Sequence, residues 1–570
     1  MKIFGFSYNL PISSFCYLNN GKIIFASPEE RYNRLKNYRG FPENCLEQTL
    51  RNFKLKINDI DCFVNSWNPA QYFRKYNPLI SGQKRHFSEQ LISFPDNILK
   101  NEKNKIFGNS NLNLILNNKK INFEFIDHHK AHLGLSYYLS GFKKSLIFII
   151  DQQGEFSSSS VWIASKNQLE KIFEQNYPNS VGKFYASITE YLGYQPLSDE
   201  WKVMALGAYT KGDKNIYQKL KNLIDIKKSG EIHLDLNYFN LLNDVPDFLS
   251  TKFYNLLGPK RHLNQKLKKF HYDVAHSLQK ITEEITIEFI EKFTKAHPQI
   301  KNICLGGGIF MNSVMNGKIA RKFNYHNIYI PYAPDDSGNS IGATLFKNFS
   351  NTKRINKYYQ HNRSPNQGIS FSNREILKKL NNYKIKYKIQ RKLDDYLSDQ
   401  LENKKVIGFF QGKNEFGQRA LGSRSIIASP KFKEMKNIIN KSVKYRENFR
   451  PFAPAILENK IKDIFEVKKN YKSDYMEKVY YFKKKVKHKF PAVVHVDGTG
   501  RLMSVNRQSN IQFQKLLLKY DLKYKCPIIL NTSFNIKGEP MVMNIDDAIR
   551  TFFISGLDIL VLNNIVIEKQ

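Results

Sequence analysis

The stretch NICLGGGIFMNSVMNGKIA, which runs from Asn302 to Ala320, decides the predicted fold class. Its short apolar run predicts a buried strand, its consecutive glycines predict a tight turn, and the residues that follow predict a helix. The stretch NIYIPYAPDDSGNSIGATL, which begins at Asn327, repeats the same plan. Strand–turn–helix units in succession indicate an α/β fold class, mixed with α+β elements.

The glycine-rich turn is also a candidate anion site. LGGGIFMN, from Leu305 to Asn312, exposes backbone N–H groups at the start of a helix, where anions bind readily. A run of glycines is equally typical of a tight turn without a ligand, so both interpretations stay open. On the first interpretation, Gly306, Gly307, Gly308 and Asn312 bind a nucleotide.

The N-terminal part of the chain extends the α/β pattern. KIFGFSY and KIIFAS predict two strands around the turn NNG. SLIFIID, from Ser145 to Asp151, is a short apolar run that ends on a carboxylate, as a buried strand does when it presents an acid at its C-terminal end. Apolar residues spaced by three and four between Val274 and Phe293 predict an amphipathic helix.

A boundary divides the chain into two predicted domains. The stretch from Asn348 to Asn373 is polar, basic and without apolar periodicity, and we place a linker at residues 356–372 within it. Residues 1–355 then form the first domain and residues 373–570 the second. Strands of the second domain are predicted at KVIGFF, AVVHVDG, CPIILNTSFN and DILVLNN.

Three histidines fall within five positions of the stretch IDHHKAHLGL, which begins at Ile126. His128 and His132 are four residues apart and therefore share one face of a helix. Two imidazoles on one face can begin a metal site, although a polar pair without a ligand is as common.

Two carboxylates are candidates to complete this metal site. Asp151 ends a predicted strand, and Asp336 lies in the turn PDDSGNSIG, which leads into a helix. Two imidazoles with one or two carboxylates suit Fe(II), Mn(II) or Zn(II), with positions left open for substrate. Each acid taken singly is more typical of a cap or turn.

Composition excludes several classes of protein. The chain has 570 residues, of which 41% are hydrophobic, enough for large packed cores. Its five cysteines form no CxxC pair, which argues against a disulfide framework or a zinc ribbon and predicts a reducing, cytoplasmic setting. No apolar stretch approaches the roughly 18 residues of a membrane helix. The beginning MKIFGFSYNL predicts a strand and not a signal peptide.

The formal net charge of +38 raises nucleic acids, anionic metabolites and membrane surfaces as partners. However, the lysines are spread along the whole chain together with many asparagines and isoleucines, as biased coding composition produces. Aromatic residues are dispersed too, without an interleaved stacking motif. Nucleic-acid binding is therefore not expected.

The C-terminal domain carries a group of cations beside glycines and hydroxyls. The motifs EFGQRALGSRS, KYRENFRPFAP, HVDGTGR and NTSFN supply Arg419, Arg424, Lys444, Arg446, Arg450, Arg501, Ser533 and Asn535. Such residues suit the binding of a triphosphate and of a second phosphorylated molecule. Surface salt bridges are the alternative. Apolar flanks, as in RPFAPAIL, favour partial burial, and buried arginines need anionic partners.

Taken together, these motifs resemble those of the O-carbamoyltransferase family, which includes the nodulation-factor, tobramycin and cephamycin carbamoyltransferases. The resemblance covers nearly the whole chain, in the segments EERYNRLKNYRGFP, HHKAH, VGKFYASITEYLGYQPLSDEWKVMALGAY, LGGGIFMNSVMNGK, FGQRALGSRSIIASP, VKYRENFRPFAPAIL, HVDGTGR and NTSFNIKGEPMV. It implies an actin-like N-terminal domain, a duplicated ribonuclease H-like fold that binds iron. It also implies a YrdC-like C-terminal domain, in which Lys444-x-Arg446 and Ser533-x-Asn535 correspond to the KxR and SxN signatures.

The resemblance implies a two-stage reaction. The C-terminal domain would use carbamoyl phosphate and ATP to make carbamoyl adenylate, with release of phosphate and pyrophosphate. The N-terminal domain would transfer the carbamoyl group to a hydroxyl of a sugar or natural product, with release of AMP. A mixed anhydride supplies the leaving group that a carbamate lacks, and a metal can hold the developing charge.

The resemblance also implies roles for individual residues. The implied metal ligands are His128, His132, Asp151 and Asp336, with Fe(II), Mn or Zn as the ion. The implied catalytic residues are Lys444, Arg446, Arg419, Arg424 and Arg501. The residues implied in substrate or nucleotide binding are Gly306, Gly307, Gly308, Asn312, Glu200, Lys202, Arg450, His495, Asp497, Asn531, Ser533 and Asn535. The implied partners are ATP, carbamoyl phosphate and the acceptor, and a homodimer is an open expectation.

Two positions depart from the family pattern. Family members usually carry a His-Asp pair early in the first hairpin, and its histidine is the expected general base. This chain has Pro11 and Ile12 there. The DGxGE motif is here DQQGE, with Gln152 in place of its first glycine.

Three hypotheses therefore stay open. The first is an active O-carbamoyltransferase, favoured by the retained metal set. The second is a non-transferring homologue that acts as a binding or scaffold subunit, favoured by the missing histidine. The third is a tRNA-modifying enzyme, favoured by the positive charge and the related fold.

Overall fold

The computed structural model describes residues 1–68, 110–116, 119–165, 168–241, 247–353, 359, 363–467 and 471–569. The chain forms two compact units. The first comprises Met1–Glu29 and Asn37–Arg363, and the second comprises Glu30–Lys36 and Ser364–Gln570. The segment Glu30–Lys36 thus packs with the second unit, although the sequence predicts it within the first domain.

The first unit is built around two main sheets. Its strands are β1 (Lys2–Ser7), β2 (Ser14–Asn19), β3 (Lys22–Pro28), β4 (Cys62–Asn65), β5 (Ser110–Leu116), β6 (Lys119–Phe125), β7 (Ser145–Ile150), β8 (Ser157–Ser165), β9 (Gln168–Asn176), β10 (Ile224–Ile226), β11 (Ile232–Leu234), β12 (Asn302–Gly306) and β13 (Asn327–Tyr329). The strand orders of the two sheets are β3-β2-β1-β4-β6-β5 and β13-β12-β7-β8-β9, and β10 and β11 form a separate hairpin.

The two main sheets repeat one topology. In the first, the antiparallel strands β1, β2 and β3 are extended from β1 by the parallel strands β4 and β6. In the second, the antiparallel strands β7, β8 and β9 are extended from β7 by the parallel strands β12 and β13. This repetition confirms the predicted fold class, an α/β protein with a duplicated ribonuclease H-like N-terminal domain.

Local sequence explains most of these strands. Every residue of β7 is buried, as expected for a continuous apolar strand covered on both faces of a sheet. The N-terminal prediction was wrong in one respect, because the turn NNG joins β2 to β3 and β1 precedes that hairpin. The sequence SFCYLN of β2 was missed since it is buried along most of its length and lacks polar alternation.

The α-helices within the described residues are α1 (Glu30–Asn33), α2 (Glu43–Asn52), α3 (His128–Leu133), α4 (Val181–Tyr191), α5 (Glu200–Leu206), α6 (Lys214–Lys221), α7 (Thr251–Leu257), α8 (Lys269–Ala296), α9 (Ser313–Lys322), α10 (Asn339–Thr352), α11 (Asn373–Asn382), α12 (Leu393–Glu402), α13 (Met435–Ile438), α14 (Ile461–Ile464), α15 (Ile511–Tyr524) and α16 (Ile545–Phe553). None of these helices has the length and hydropathy needed to cross a membrane.

Close packing of α3 against α10 positions the site of the first unit. A Cβ at Gly342 of α10 would overlap the carbonyl oxygen of Ala131 in α3, so a glycine is needed for the two helices to lie this close. Because α10 directly follows Asp336, this contact brings Asp336 to the histidines of α3.

The second unit contains one mixed sheet. Its strands are β14 (Lys388–Ile389), β15 (Ile407–Phe410), β16 (Arg424–Ala428), β17 (Ala453–Leu457), β18 (Lys478–Tyr481), β19 (Thr499–Val505), β20 (Ile528–Ser533), β21 (Ile559–Leu562) and β22 (Ile565–Glu568). Their order is β14-β22-β21-β15-β16-β20-β17-β19-β18.

One strand predicted for the second unit was wrong. AVVHVDG forms a turn, and β19 begins only at Thr499. The Asp497 carboxylate accepts hydrogen bonds from the backbone N–H and the hydroxyl of Thr499, which closes the turn locally. Such a side-chain bond competes with strand pairing at a sequence that is otherwise rich in valine.

Candidate functional site

Four predicted metal ligands meet at one point in the first unit. His128 and His132 project from the same face of α3, with their Nε2 atoms 3.1 Å apart. Asp151 Oδ2, at the end of β7, lies 2.9 Å from His128 Nε2 and 3.2 Å from His132 Nε2. Asp336 Oδ1 lies 3.2 Å and 3.3 Å from the same two nitrogens. We call these four residues the His-Asp cluster.

The geometry of the His-Asp cluster fits a bound metal ion. Ligand atoms at about 2.0–2.1 Å from a tetrahedral metal lie roughly 3.3 Å from one another. The four imidazole–carboxylate distances span 2.9–3.3 Å. Among the described residues, Asp336 Oδ1 makes no hydrogen bond although it is buried. A cation between the four atoms would satisfy this oxygen and both imidazoles together.

Charge in the His-Asp cluster also favours a cation. Burial by itself lowers the pKa of His128, but Asp336 and Asp151 outweigh it and raise this pKa well above its usual value. Burial raises the pKa of Asp151, yet the two histidines lower it well below its usual range. His129 is not part of this group. Its Nδ1 lies 2.8 Å from Ser160 Oγ, and burial lowers its pKa to about 3.

Two buried residues that the sequence did not single out support the cluster. The Glu155 carboxylate accepts hydrogen bonds from the backbone N–H groups of His128, at 3.0 and 3.1 Å, and of Asn68, at 2.6 Å. It thereby fixes the start of α3. Asn339 Nδ2 lies 3.1 Å from His132 Nε2 and 3.4 Å from His128 Nδ1. Both residues lie in the motifs DQQGE and DSGNSIG, which were the available signals.

The glycine-rich turn packs against the His-Asp cluster. Gly307 has φ +101°, and a Cβ there would lie well under 3.0 Å from the Ile150 carbonyl oxygen. The next residue, Gly308, donates its backbone N–H to Asp151 Oδ1 at 3.0 Å. Gly306 is enclosed by Ser136 and Ile149. The turn therefore orients Asp151, a predicted metal ligand, and its binding of a nucleotide stays a prediction.

Three further predicted binding residues have local partners. Asn312 caps α9 by accepting a hydrogen bond from the Met315 N–H at 3.0 Å. The Glu200 carboxylate accepts the Leu197 N–H at 2.6 Å, and Lys202 pairs with Asp199 at 2.8 Å. These contacts hold the starts of α9 and α5. The predicted roles of Asn312, Glu200 and Lys202 in substrate binding stay predictions.

The first hairpin lies beside the Asp336 turn. The Ser7 hydroxyl donates to the Asp336 carbonyl oxygen at 3.1 Å, and the Ser14 hydroxyl donates to the Ser337 carbonyl oxygen at 2.7 Å. Pro11 and Ile12 lie in the loop between these two serines. Neither side chain can exchange a proton, so these two positions cannot supply the general base.

A cavity of about 260 Å³ lies next to the start of α3. Its walls come from residues that flank His128 and from β8 and β9, namely Asp127, His129, Lys130, Glu155, Phe156, Ser157, Ser160, Trp162, Lys171 and Glu174. The lysines are paired, Lys130 with Asp127 at 2.5 Å and Lys171 with Glu174 at 2.9 Å. The cavity is therefore polar and close to neutral, and Phe156 and Trp162 contribute aromatic rings to its walls.

In the second unit, the predicted signatures Lys444-x-Arg446 and Ser533-x-Asn535 come together. Lys444 is buried, and its Nζ donates to Ser533 Oγ at 3.1 Å and to Asn535 Oδ1 at 2.5 Å. It also donates to the carbonyl oxygens of both residues. Burial, followed by the charges of Arg446 and Arg450, lowers the pKa of Lys444 well below its usual value.

Arginines lie close to this lysine, so positive charge is concentrated at this point of the second unit. Burial, then the charges of Arg419, Arg446 and Arg450, lowers the pKa of Arg501 well below its usual value. Among the described residues, Arg446 Nη2 and Arg501 Nε are buried without a hydrogen-bond partner. An anion stabilises cations that repel one another, so a phosphate group is a suitable ligand for these residues together with Lys444. We call Arg419, Lys444, Arg446, Arg450 and Arg501 the cationic cluster.

His495 lies at the edge of the cationic cluster. Burial, together with the charges of Arg501 and Lys436, lowers the pKa of His495 to about 4 against the opposing charge of Asp497. Its Nδ1 lies 3.1 Å from Thr499 Oγ1, and its Nε2 has no hydrogen-bond partner among the described residues. A neutral imidazole here suits a hydrogen bond to a ligand better than ion pairing.

Two predicted residues of the second unit make mainly internal contacts. The Arg424 guanidinium donates to the carbonyl oxygens of Gln411 at 2.9 Å and Ser423 at 3.0 Å, and lies 3.5 Å from the centre of the Phe410 ring. The Asn531 amide donates to the Ala420 carbonyl oxygen at 3.0 Å. Both hold the loop that carries Arg419. The catalytic role of Arg424 stays a prediction.

Comparison with known proteins identifies the family. A family model described as carbamoyltransferase N-terminus matches residues 2–345, and one described as carbamoyltransferase C-terminus matches residues 398–569. An uncharacterized protein of Methanocaldococcus jannaschii is 33% identical over 554 residues, which cover 97% of each chain. Nodulation protein NolNO of Sinorhizobium fredii is 30% identical over 566 residues, which cover 97% of this chain and 78% of that protein.

Among solved structures, full-length HypF in its phosphate- and nucleotide-bound form is similar with a TM-score of 0.30 and 12% identity, over 62% of this chain and 55% of that chain. The assignment rests on the two family models, which together span most of the sequence. The chain therefore belongs to the carbamoyltransferase family of enzymes.

Proposed function

We propose that this enzyme is an O-carbamoyltransferase that activates carbamate as carbamoyl adenylate and transfers the carbamoyl group to a hydroxyl of a sugar or natural product. The observation that carries the proposal is the cationic cluster, in which half-buried arginines lie near the buried Lys444 with its Ser533 and Asn535 partners. Such a cluster suits two phosphorylated substrates better than one acidic protein residue. The buried His-Asp cluster in the other unit supplies a second, separate reaction centre.

Adenylate formation would take place at the cationic cluster. Water cleaves carbamoyl phosphate to carbamate and phosphate, and the carbamate oxygen then attacks the α-phosphorus of ATP, with pyrophosphate as the leaving group. Arg446 and Arg501 would neutralise the phosphate charge that builds up on the leaving group. Lys444 would hold Ser533 and Asn535 in place for contact with the phosphate oxygens.

Carbamoyl transfer would take place at the His-Asp cluster. The acceptor hydroxyl oxygen forms a bond to the carbamoyl carbon, the bond to the AMP oxygen breaks, and the hydroxyl proton leaves. His128, His132, Asp151 and Asp336 would hold a divalent metal, which when bound stabilises negative charge on the carbamoyl group. Glu155 and Gly308 keep His128 and Asp151 in position through backbone hydrogen bonds.

The cavity beside α3 would bind the ring that carries the acceptor hydroxyl. Trp162 offers a flat apolar face, and Ser157, Ser160 and the carboxylates offer hydrogen bonds to several hydroxyl groups. Because its lysines are paired with carboxylates, the cavity suits a neutral polyhydroxyl ring better than a phosphate or a polycation.

The test is pyrophosphate release from ATP in the presence of carbamoyl phosphate. We expect release by the wild-type enzyme and by His132→Ala, and loss of at least about 100-fold in Arg446→Ala, since its charge acts on the leaving group. Thermal melting of each variant controls for folding. Loss in His132→Ala with retention in Arg446→Ala would contradict the assignment of the two reactions.

Transfer needs its own measurement because Pro11 and Ile12 replace the expected base. Acceptor-dependent AMP release should be measured with a panel of methyl glycosides. Release with one of them supports transfer by this enzyme. Pyrophosphate release without AMP release for any acceptor would favour a non-transferring homologue instead.

A further inference from the structure

The short segment Glu30–Lys36 belongs to the second unit although it lies near the N-terminus of the sequence. It leaves the first unit after Glu29 at the end of the β2–β3 hairpin, forms α1, and rejoins the first unit at Asn37. The N-terminal family model covers this segment, so the sequence match gives no reason to link it to the C-terminal reaction. Its contacts provide such a reason.

Two arginines attach the segment to the second unit, Arg31 to the loop that carries Arg419 and Arg34 to the loop that follows Asn535. Arg31 is 3% exposed, and its Nη2 donates to the Gly417 carbonyl oxygen at 2.6 Å. Gly417 lies two residues before Arg419, a member of the cluster. A buried guanidinium that bonds a loop carbonyl fixes the path of that loop, because leaving either group without its partner is costly.

Arg34 makes the larger set of contacts. Its Nη1 donates to the Met541 carbonyl oxygen at 2.6 Å, and its Nη2 donates to the Pro540 carbonyl oxygen at 2.9 Å. The carboxylates of Asp547 and Glu539 lie 3.5 Å and 3.7 Å from the same guanidinium. The planar fork of an arginine thus spans two successive carbonyls and two acids at once, which a lysine cannot match.

The Arg34 contacts lead directly to the Lys444 site. The Asn535 amide donates to the carbonyl oxygen of Glu539 at 2.6 Å, one residue before Pro540. Asn535 Oδ1 in turn accepts the Lys444 ammonium at 2.5 Å. A shift of the loop at Pro540 would therefore move the residue that holds Lys444 in place.

We infer that Arg31 and Arg34 are positioning residues for the phosphate-binding cluster of the second unit, so that nucleotide activation depends on a segment of the N-terminal sequence. Lys36, in the same segment, also acts on this cluster, because its charge lies close enough to Lys444 to contribute to the lowered pKa of that lysine. The inference rests on the proposed function, since it takes ATP and carbamoyl phosphate as the ligands of the cluster.

The test compares Arg34→Met with Arg550→Met in the full-length enzyme. Arg550 is a matched control, because it pairs with Glu539 through both carboxylate oxygens, at 2.9 and 2.8 Å. Its side chain is half exposed and donates to no loop carbonyl within the described part of the chain. Pyrophosphate release is measured against ATP concentration, well below the melting temperature of each variant. We expect Arg34→Met to raise the KM for ATP about tenfold and Arg550→Met to leave it within about twofold.

A role in folding alone predicts a different result. It would lower the amount of active enzyme, and hence kcat, without changing the KM for ATP. Arg34→Lys provides a second readout, because a lysine can reach one carbonyl and should restore part of the affinity. If Arg34→Met does not fold, Arg34→Lys decides, with an expected rise in KM of about threefold.

The possible failures are distinguishable. No pyrophosphate release by the wild-type enzyme would overturn the proposed function together with this inference. Release by the wild type with an unchanged KM in the folded Arg34 variants would overturn only the positioning role. An equal rise in KM for Arg550→Met would show that any ion pair to Glu539 has the same effect, and would also overturn it.

Discussion

Substitution of Gly307 by alanine tests whether the glycine-rich turn exists to orient the His-Asp cluster. Gly307 has φ +101° and ψ 156°, a region of backbone conformation that is almost restricted to glycine. An alanine there costs on the order of 1–3 kcal/mol in strain. Its Cβ would also press against the Ile150 carbonyl oxygen at well under 3.0 Å. Overpacking against rigid backbone adds about 1–3 kcal/mol.

Gly258 provides a matched control for this substitution. Its backbone lies in the same region, with φ 89° and ψ −177°, but nothing lies within 4 Å of a Cβ built on it. Gly258→Ala should therefore lose stability through backbone strain alone. Gly307→Ala should lose stability through the same strain and, in addition, through the collision of its Cβ with the Ile150 carbonyl oxygen. At roughly 2–4 °C per kcal/mol for a domain of this size, the two melting temperatures should differ by about 2–12 °C.

The collision also has a consequence for the metal ligands. Because Ile150 directly precedes Asp151, and Gly308 donates to the Asp151 carboxylate, displacement of this turn should move Asp151 from the two imidazoles. The assay is calorimetric melting of both variants together with metal analysis of the purified proteins. If Gly307→Ala melts no lower than Gly258→Ala and retains as much metal, the turn does not orient Asp151 and this reasoning is wrong.

Three further predictions concern the same unit. His132→Ala should lower the metal content of the purified enzyme at least about tenfold. His129→Ala should retain the metal because His129 faces Ser160. Equal losses in the two variants, measured by elemental analysis, would contradict the ligand assignment. Zinc should bind the metal-free enzyme more weakly at about pH 6 than at about pH 8. Asp336 and Asp151 raise the pKa of His128, so a proton occupies this imidazole over a wider range of pH and must leave before the metal binds. Tighter zinc binding at the lower pH in a calorimetric titration would contradict this prediction. Trp162→Ala should raise the KM for the acceptor about tenfold and leave pyrophosphate release unchanged, since the ring forms part of the wall of the cavity beside α3. An unchanged KM for the acceptor would mean that the acceptor binds elsewhere.

The sequence by itself determined the local parts of both sites. The spacing of His128 and His132 placed both imidazoles on one face because a helix repeats about every four residues. The apolar run before Asp151 predicted a buried strand that ends on a carboxylate, and β7 has this form. These predictions succeeded because hydrophobic period and turn chemistry act over a few residues of backbone.

Only the tertiary structure decided which distant residues meet. The parallel pairing of β7 with β12, in which Ile149 lies opposite Gly306, sets the glycine turn beside Asp151. The close approach of α10 to α3 then adds Asp336 to the histidines. Neither contact leaves a periodic signal, because sheet register and helix packing depend on surfaces that are far apart in the chain.

The segment Glu30–Lys36 shows the same limit for the second unit. Its sequence is a short polar stretch near the N-terminus, and nothing in the pattern points to a partner hundreds of residues away. Arg34 finds that partner through the carbonyl oxygens of Pro540 and Met541. Backbone carbonyls occur at every residue and carry no sequence signature, so a contact of this kind is decided by the fold alone.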